Sequence, residues 1–420
     1  MLSLEQIVRD PETFRAALVR RGEDPPIDRI LELDSRRKEL IQAADIDRAN
    51  RNNVSKAIGN EKRKPTPEEI AEMRETGDRI KAVEAELATV LEELNDTLLP
   101  IPNTPLDDVP DGLDEESNVV VRTSEGSTES HGNAHWDVAT ELGILDLEAG
   151  ASISGARFYV LKGKGAKLQR ALAAWMLDVQ TEEHGYTEID PPLLVRGETM
   201  TGSGNLPKFK DNLYRDEETD LWLVPTAEVA LNGLHQGRII DPGVLPLKYV
   251  AQTPSFRKEH ASAGRDVRGI KRVHQFEKVE MFRYVEPETS DAMLEQMVGE
   301  AERLCQLLGL TYRVLQLCAG DIGFQSAKTY DIEVWSPGSA EWLEVSSIST
   351  CTDFQARRNG TRYRPEVGAS TKLPHTLNGS GLALPRIWIA VIENGLQEDG
   401  SIVIPEVLVP YTGWDRIESK

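Results

Sequence analysis

Residues 255–282, SFRKEHASAGRDVRGIKRVHQFEKVEMF, contain side chains of the types needed to hold a nucleotide beside a small charged molecule. Arg257, Glu259, Phe276 and Glu280 supply a cation, two carboxylates and an aromatic plate. A guanidinium meets phosphate oxygens through a planar fork of donors. A benzyl ring offers a flat apolar face to a base, and carboxylates accept from amino groups. The ends of the stretch alternate in character as strands do, and on a strand side chains two apart share a face. Alternation pairs Arg257 with Glu259, and Phe276 with Lys278 and Glu280; it turns Val273, Gln275, Glu277 and Val279 the other way. Between the halves, HASAGRDVRGIKR forms a loop with Arg265, Arg268, Lys271 and Arg272, a basic run suited to phosphates. A salt-bridged face turned to solvent would produce the same alternation, and the stretch alone leaves both readings open.

A hairpin of this kind needs a sheet, and the chain from about residue 113 supplies one. KLQRALAAWMLDVQTEEHGY reads as an amphipathic helix, followed by TEIDPPLLV as a strand entered through Pro191 and Pro192. LWLVPTAEVAL, LKYVAQTPSFRKE, VHQFEKVEMFRYV, TYDIEVW and EWLEVSSIS read as further strands. Strands without a helix between each pair favour an antiparallel sheet over a doubly wound one.

The N-terminal quarter has another period. Ile30, Leu33, Arg37, Leu40, Ala44, Asp47, Arg51, Val54 and Ile58 follow a 3-4 spacing, as do Met73, Thr76, Ile80, Val83, Leu87, Val90 and Leu94. GNEKRKPTPEE separates them, with Gly59 as a stop and Thr66-Pro67-Glu68-Glu69 as a helix start. Two seams joined by a short turn predict an antiparallel coiled-coil hairpin over about 27–98. At 1.5 Å per residue, roughly thirty residues make an arm about 45–50 Å long, which must project. Arg37, Asp47 and Arg51 interrupt the seam, while Lys56, Lys62, Arg63 and Lys64 make the tip basic. A dimerising or spacer coiled coil is the alternative to a phosphate-binding lever. Prolines in LLPIPNTPLDDVPDG then break the helix, which predicts an N-terminal domain at 1–105 and a second at 106–420.

Composition bounds the rest. A chain of 420 residues is too long for one core. A formal net charge of -22 argues against a broad basic surface but allows local patches. Cys305, Cys318 and Cys351 lie far apart, with neither disulfide nor zinc spacing. The longest apolar runs, such as IVIPEVLVP, are too short to span a bilayer, so the expectation is a cytoplasmic protein without a membrane partner.

Taken in order, the arm, IDPPLLV, TGSGNLPKF, VPTAEVAL, the hairpin, YDIEVW, WLEVSSIS, DFQARR and LNGSGLALPRIWIAVIEN resemble the seryl-tRNA synthetase family of class II aminoacyl-tRNA synthetases. The resemblance spans essentially the whole chain. It implies an α+β fold: an N-terminal coiled-coil arm and a catalytic domain built on an antiparallel sheet flanked by helices. It further implies that Arg257 contacts the α-phosphate of ATP and the serine carboxylate, and that Arg386 sandwiches the adenine and meets the γ-phosphate. Lys258, Glu259, Val273, Phe276, Glu344, Val345, Ser346 and Ser347 complete the ATP positions, Phe276 as the stacking ring. Glu344 and Ser347 match the Mg²⁺ ligands; because alternation would pair Glu344 with Ser346, that match requires a bulge. Thr226, Ala227, Glu228, Glu280, Asn378 and Ser380 match the serine positions, and Gly379 and Gly381 leave room for a ligand beside the backbone. The family usually has glycine where this chain has Pro385, which a first helical turn tolerates.

The resemblance implies a homodimeric ligase that activates L-serine with ATP and transfers it to tRNA(Ser). The arm residues Arg37, Arg51, Lys56, Lys62, Arg63 and Lys64 and the loop residues Arg265, Arg268, Lys271 and Arg272 would contact the tRNA. Charging of tRNA(Sec), another amino-acid specificity, a paralogue that aminoacylates a carrier protein and a tRNA-binding protein without chemistry are the alternatives.

Overall fold

The computed structural model describes residues 1–259 and 268–418, so Arg265 and most of the basic loop lie outside the described residues. The chain divides into two compact units: Met1–Val19 with Glu23–Ile101, and Arg20–Gly22 with Pro102–Lys420.

The first unit is dominated by α1 (Ile27–Asn60) and α2 (Pro67–Leu98), packed antiparallel. Ile30, Leu33, Leu40 and Ala44 of α1 are buried in the seam, as are Thr76, Ile80, Val90 and Leu94 of α2. Thr66 caps α2 with a complete capping box: its hydroxyl accepts from the Glu69 amide, and the Glu69 carboxylate accepts from the Thr66 amide at 2.8 Å. Gly59 does not stop α1. The helix runs on to Asn60, and Lys62 takes the left-handed conformation at φ +50°. Asp34 is buried in the seam and pairs with Arg37 at 2.6 Å and Lys38 at 2.7 Å. Arg29–Glu93, Arg36–Glu86, Arg48–Glu84 and Arg79–Asp47 pairs lace the two helices together. Exposed pairs of this kind contribute little singly, so the buried aliphatic seam carries most of the arm's stability.

The second unit is a mixed α/β layer around one eight-stranded sheet. Its elements are β1 (Val119–Thr123), α3 (Lys164–Asp178), β2 (Thr187–Glu188), α4 (Ala227–Gly233), β3 (Leu247–Phe256), β4 (Gln275–Val285), α5 (Ser290–Leu307), β5 (Tyr312–Gln316), β6 (Lys328–Ser336), β7 (Glu341–Thr352), α6 (Phe354–Asn359), β8 (His375–Ala383) and α7 (Leu384–Gly395). Strand order is β1-β5-β6-β7-β8-β4-β3-β2, antiparallel throughout except for the parallel β2/β3 edge. Helices α3, α5 and α7 bury their apolar faces on this sheet, with Leu168, Leu172, Met297, Ala301, Ile387 and Trp388 in the core.

Two stretches read as strands fold otherwise. TEIDPPLLV splits into β2 and a short strand Leu194–Arg196 in a separate sheet, because Pro191 and Pro192 cannot donate to a ladder. LWLVPTAEVAL keeps strand structure only over Leu221–Leu223; after Pro225, Thr226 caps α4, its hydroxyl accepting from the Glu228 amide at 3.3 Å.

Candidate active site

A cavity of about 320 Å³ opens on the sheet, its walls drawn from β4, β7, β8, the start of α7, the cap of α4 and the segments flanking the basic loop. Among the described residues, five basic side chains (Arg257, Lys271, Arg272, Lys278, Arg386) face four acidic ones (Glu228, Glu259, Glu280, Glu344) across it. Such near-balance suits a ligand set that carries both signs of charge.

Strand β4 contributes by simple alternation. Phe276, Lys278 and Glu280 all line the cavity, while Val279 and Met281 point into the core. Arg257 and Glu259 reach the cavity differently from the alternation argument. β3 ends at Phe256, and the last ladder bond is donated by the Arg257 amide to the His274 carbonyl at 2.9 Å. Glu259 then takes φ +48°, a left-handed conformation uncommon for a side chain of this size. The Arg157 guanidinium donates to its carbonyl at 3.1 Å, and Arg272 pairs with its carboxylate at 3.8 Å. Val273 lies before the start of β4, so the alternation that turned it away does not apply; it too lines the cavity.

The bulge required by Glu344 and Ser347 is present. In the β6/β7 ladder Ile332 faces Ser346 and Glu333 faces Glu344, so Val345 has no partner. The extra residue restores Glu344 and Ser347 to one face, both lining the cavity. Val345 and Ser346 are buried behind it, the Ser346 hydroxyl donating to the Ser380 carbonyl at 2.6 Å. A second bulge at Gly381 follows Ser380, which sits opposite Glu280. A Cβ on Gly379 would come within 2.7 Å of Ile348, so packing between strands excludes a side chain there, and one on Gly381 would lie a tight 3.1 Å from Val279.

Pro385 occupies the first turn of α7, where its missing N–H leaves no helical bond unmade. Arg386 is delivered to the cavity, donating to the Glu344 carbonyl at 2.7 Å and pairing with its carboxylate at 3.2 Å. The charge of Arg386 holds the Glu344 carboxyl below its ordinary range. Burial, reinforced by the charge of Glu344, pushes the neighbouring Asp331 carboxyl well above its range. Arg257 donates to the Pro225 carbonyl at 3.2 Å and lies 5.2 Å from the centroid of Phe276.

The remaining polar groups cluster around Glu228. One of its oxygens accepts from Gln325 at 3.3 Å, Gln355 at 2.6 Å and Asn378 at 3.0 Å. Burial and the nearby charge of Glu280 still push its carboxyl up to about 7. The Lys278 ammonium contacts Glu280, and both are buried.

Of the sequence-derived positions, Lys258, Ala227, Val345 and Ser346 send no side chain into the cavity. Lys258 lies over the Tyr214 ring, and Ala227 packs in a hydrophobic cluster with Leu231 and Phe282. Lys271 and Arg272, read as tRNA-facing, stand in the cavity wall, with Lys271 paired to Glu341. Arg268 sits outside it, over the Trp136 ring. In the arm, Arg37 is held by Asp34, and Arg63 by Glu61 and Glu69, whereas Arg51, Lys56, Lys62 and Lys64 are exposed. The sequence reading assigned no site role to Lys278, Gln325, Ser349, Gln355 or Asp331. Only Lys278, flanked by Phe276 and Glu280 on one strand face, carried a local signal.

Comparison with known proteins follows the same division. Residues 1–105 match the seryl-tRNA synthetase N-terminal domain, and residues 208–395 match the tRNA synthetase class II core domain (G, H, P, S and T). A serine--tRNA ligase of Thermomicrobium roseum is 55% identical, the alignment covering 98% of this chain and 94% of that protein. The structure of seryl-tRNA synthetase from Pyrococcus horikoshii complexed with ATP superposes with a TM-score of 0.93 at 36% identity, over 100% of each chain. That of the cytoplasmic serine-tRNA ligase from Naegleria fowleri with AMP gives 0.87 at 30% identity, over 98% of this chain and 96% of that one.

Proposed function

The chain belongs to the seryl-tRNA synthetase family of class II aminoacyl-tRNA synthetases, and from that premise we propose that its cavity receives ATP and serine side by side. Its activity is the ATP-dependent ligation of serine to tRNA. The serine carboxylate attacks the α-phosphate; an oxygen–phosphorus bond forms and pyrophosphate leaves with the electrons of the broken one. The terminal ribose hydroxyl of the tRNA then attacks the seryl carbonyl and AMP departs.

No side chain becomes a covalent intermediate, so this chain contributes position and charge. Arg257 and Arg386 are the two catalytic residues: fixed cations against which charge on the phosphate oxygens develops. Phe276 stacks the adenine, and Glu259 accepts from its amino group. Glu344 and Ser347 present hard oxygen donors on one face, the type Mg²⁺ takes together with substrate phosphates. They fit that ion, which when bound neutralises phosphate charge. Glu228, Asn378 and Ser380 hold serine by its polar groups, and Glu280 accepts from its hydroxyl. A site built around that hydroxyl strands its own buried carboxylate when alanine enters.

The observation that carries this reading is convergence: Arg257, Glu344, Ser380 and Arg386 come from separate segments and line one cavity with Phe276 and Glu280 of β4. tRNA approaches through the arm, whose exposed Lys56, Lys62, Lys64 and Arg51 suit contact with phosphates rather than bases. No helix among the described residues is long and apolar enough to cross a membrane; a homodimer in the cytoplasm is the proposed working state. Pyrophosphate exchange with ATP across a panel of amino acids tests the reading. Exchange with serine far above alanine and threonine supports it; equal exchange with either, or none with serine, refutes it.

A further inference from the structure

The cavity does not contain His135, yet this residue ties two of its walls together. His135 is fully buried at the start of a short helix (His135–Glu141), and three hydrogen bonds define its state. Its main-chain N–H donates to one oxygen of Glu393 at 2.9 Å, and its Nδ1 lies 3.1 Å from the same oxygen. On the other side, the Ile270 amide donates to its Nε2 at 3.2 Å. An N–H pointing at Nε2 requires a lone pair there, and a carboxylate at Nδ1 requires a proton there. The imidazole is therefore neutral and in one tautomer, fixed from both sides. Glu393, near the C-terminal end of α7, is itself saturated: Ser336 and the Gly338 amide donate to its second oxygen, the latter at 2.9 Å.

Ile270 starts the limb that returns from the basic loop into the cavity wall. The next three residues, Lys271, Arg272 and Val273, all line the cavity, and the Lys271 carbonyl lies 3.5 Å from Nε of Arg386. The loop backbone approaches the ring so closely that a Cβ on Gly269, which sits at φ +71°, would lie 2.1 Å from Nε2. Trp136, the next residue along, lies 5.7 Å from the Arg268 guanidinium and 5.8 Å from the Lys271 ammonium.

We propose that His135 is a positioning residue for the nucleotide side of the cavity. Oriented by Glu393, its Nε2 anchors the Ile270 amide and so fixes the limb carrying Lys271, Arg272 and Val273 against Arg386. His135 touches no substrate and acts through that limb. The Glu393–imidazole–amide chain links the far end of α7 to this limb, while Glu228 is held on α4 and Glu280 in the interior of β4, where ladders to β3 and β8 fix it. The inference rests on the nucleotide occupying the side of the cavity where Arg386 stands; wild-type exchange with ATP and serine checks the activity separately.

The test is serine-dependent pyrophosphate exchange, corrected for active sites by the burst of adenylate formation. His135→Asn keeps a donor for Glu393 but is too short to reach Ile270. His135→Gln carries an amide oxygen out to the position of Nε2. The expected result is a KM for ATP raised about tenfold in His135→Asn, as for loss of one buried hydrogen bond, with KM for serine within about twofold. His135→Gln should bring KM for ATP back to within about threefold of wild type. An unchanged KM for ATP in a folded, active His135→Asn protein overturns the proposal, and so do KM values for ATP and serine that rise together in both variants. A spectroscopic measurement on the wild-type chain needs no variant to fold. Coupling across the hydrogen bond between the Ile270 amide nitrogen and Nε2 of His135 is expected, and an imidazolium or an Nε2–H tautomer overturns the assignment.

Discussion

Replacing Glu228 by glutamine should remove a titration that governs serine binding. The carboxyl is buried, and burial together with the charge of Glu280 raises it to about 7, while Gln325, Gln355 and Asn378 donate to one of its oxygens. If the serine ammonium is held by the ionised form, binding needs a carboxylate that is half formed near pH 7. One pH unit lower, roughly one molecule in ten carries it, so KM for serine should be about tenfold higher at pH 6 than at pH 8. In Glu228→Gln the same plot should be flat, at a KM raised by the loss of a charge-assisted contact worth about 1.5–3 kcal/mol. Stability supplies an independent reading of the same group. A carboxyl raised on folding contributes stability that is complete below its unfolded pKa and is lost as pH rises through its folded value. The substrate-free variant should therefore gain on wild type between about pH 4.5 and pH 8, by up to about 3 kcal/mol. Exchange kinetics and denaturant melts across that range measure the two effects. A pH-independent stability gap, or a KM for serine in wild type that does not rise toward pH 6, refutes the reasoning.

The other predictions concern separate parts of the molecule. Arg257→Ala should slow serine-dependent exchange by about a hundredfold or more, the usual loss of about 3–4 kcal/mol for one charge-stabilising contact; near wild-type exchange contradicts it. Glu280→Ala should lose most of a serine-over-alanine preference of roughly 10⁴, read as a ratio of kcat/KM values. Thr66→Ala should destabilise the capped end of α2 by about 1 kcal/mol, visible as faster amide exchange in its first turn. Reversing Lys56, Lys62 and Lys64 to glutamate should lower kcat/KM for tRNA about tenfold or more at low salt, with serine-dependent exchange untouched.

The parts of the fold that were legible in the sequence are those specified by local repetition. Both seams of the arm, the capped start of α2 and the alternation of Phe276, Lys278 and Glu280 each follow from residues a few positions apart. The most informative case was a violation: Glu344 and Ser347 cannot share a face on a regular strand, and the bulge at Val345 resolves it. The misreadings have common physical causes. Apolar content made VPTAEVAL look like a strand, but Pro225 ended the ladder and Thr226 capped a helix. Alternation was carried past the ends of β3 and β4, where Arg257, Glu259 and Val273 are held by other bonds. Gln325 left no trace and Gln355 only its place in DFQARR, since their meeting at Glu228 depends on chain segments about a hundred residues away.

The most direct measurement is a crystal structure of the chain with a non-hydrolysable seryl-adenylate analogue. The predicted complex has adenine on the Phe276 ring, the sulfamoyl or phosphate group at Arg257, and the seryl hydroxyl within hydrogen-bond distance of Glu280. An analogue bound with its base away from Phe276, or its hydroxyl out of reach of Glu280, contradicts the site described.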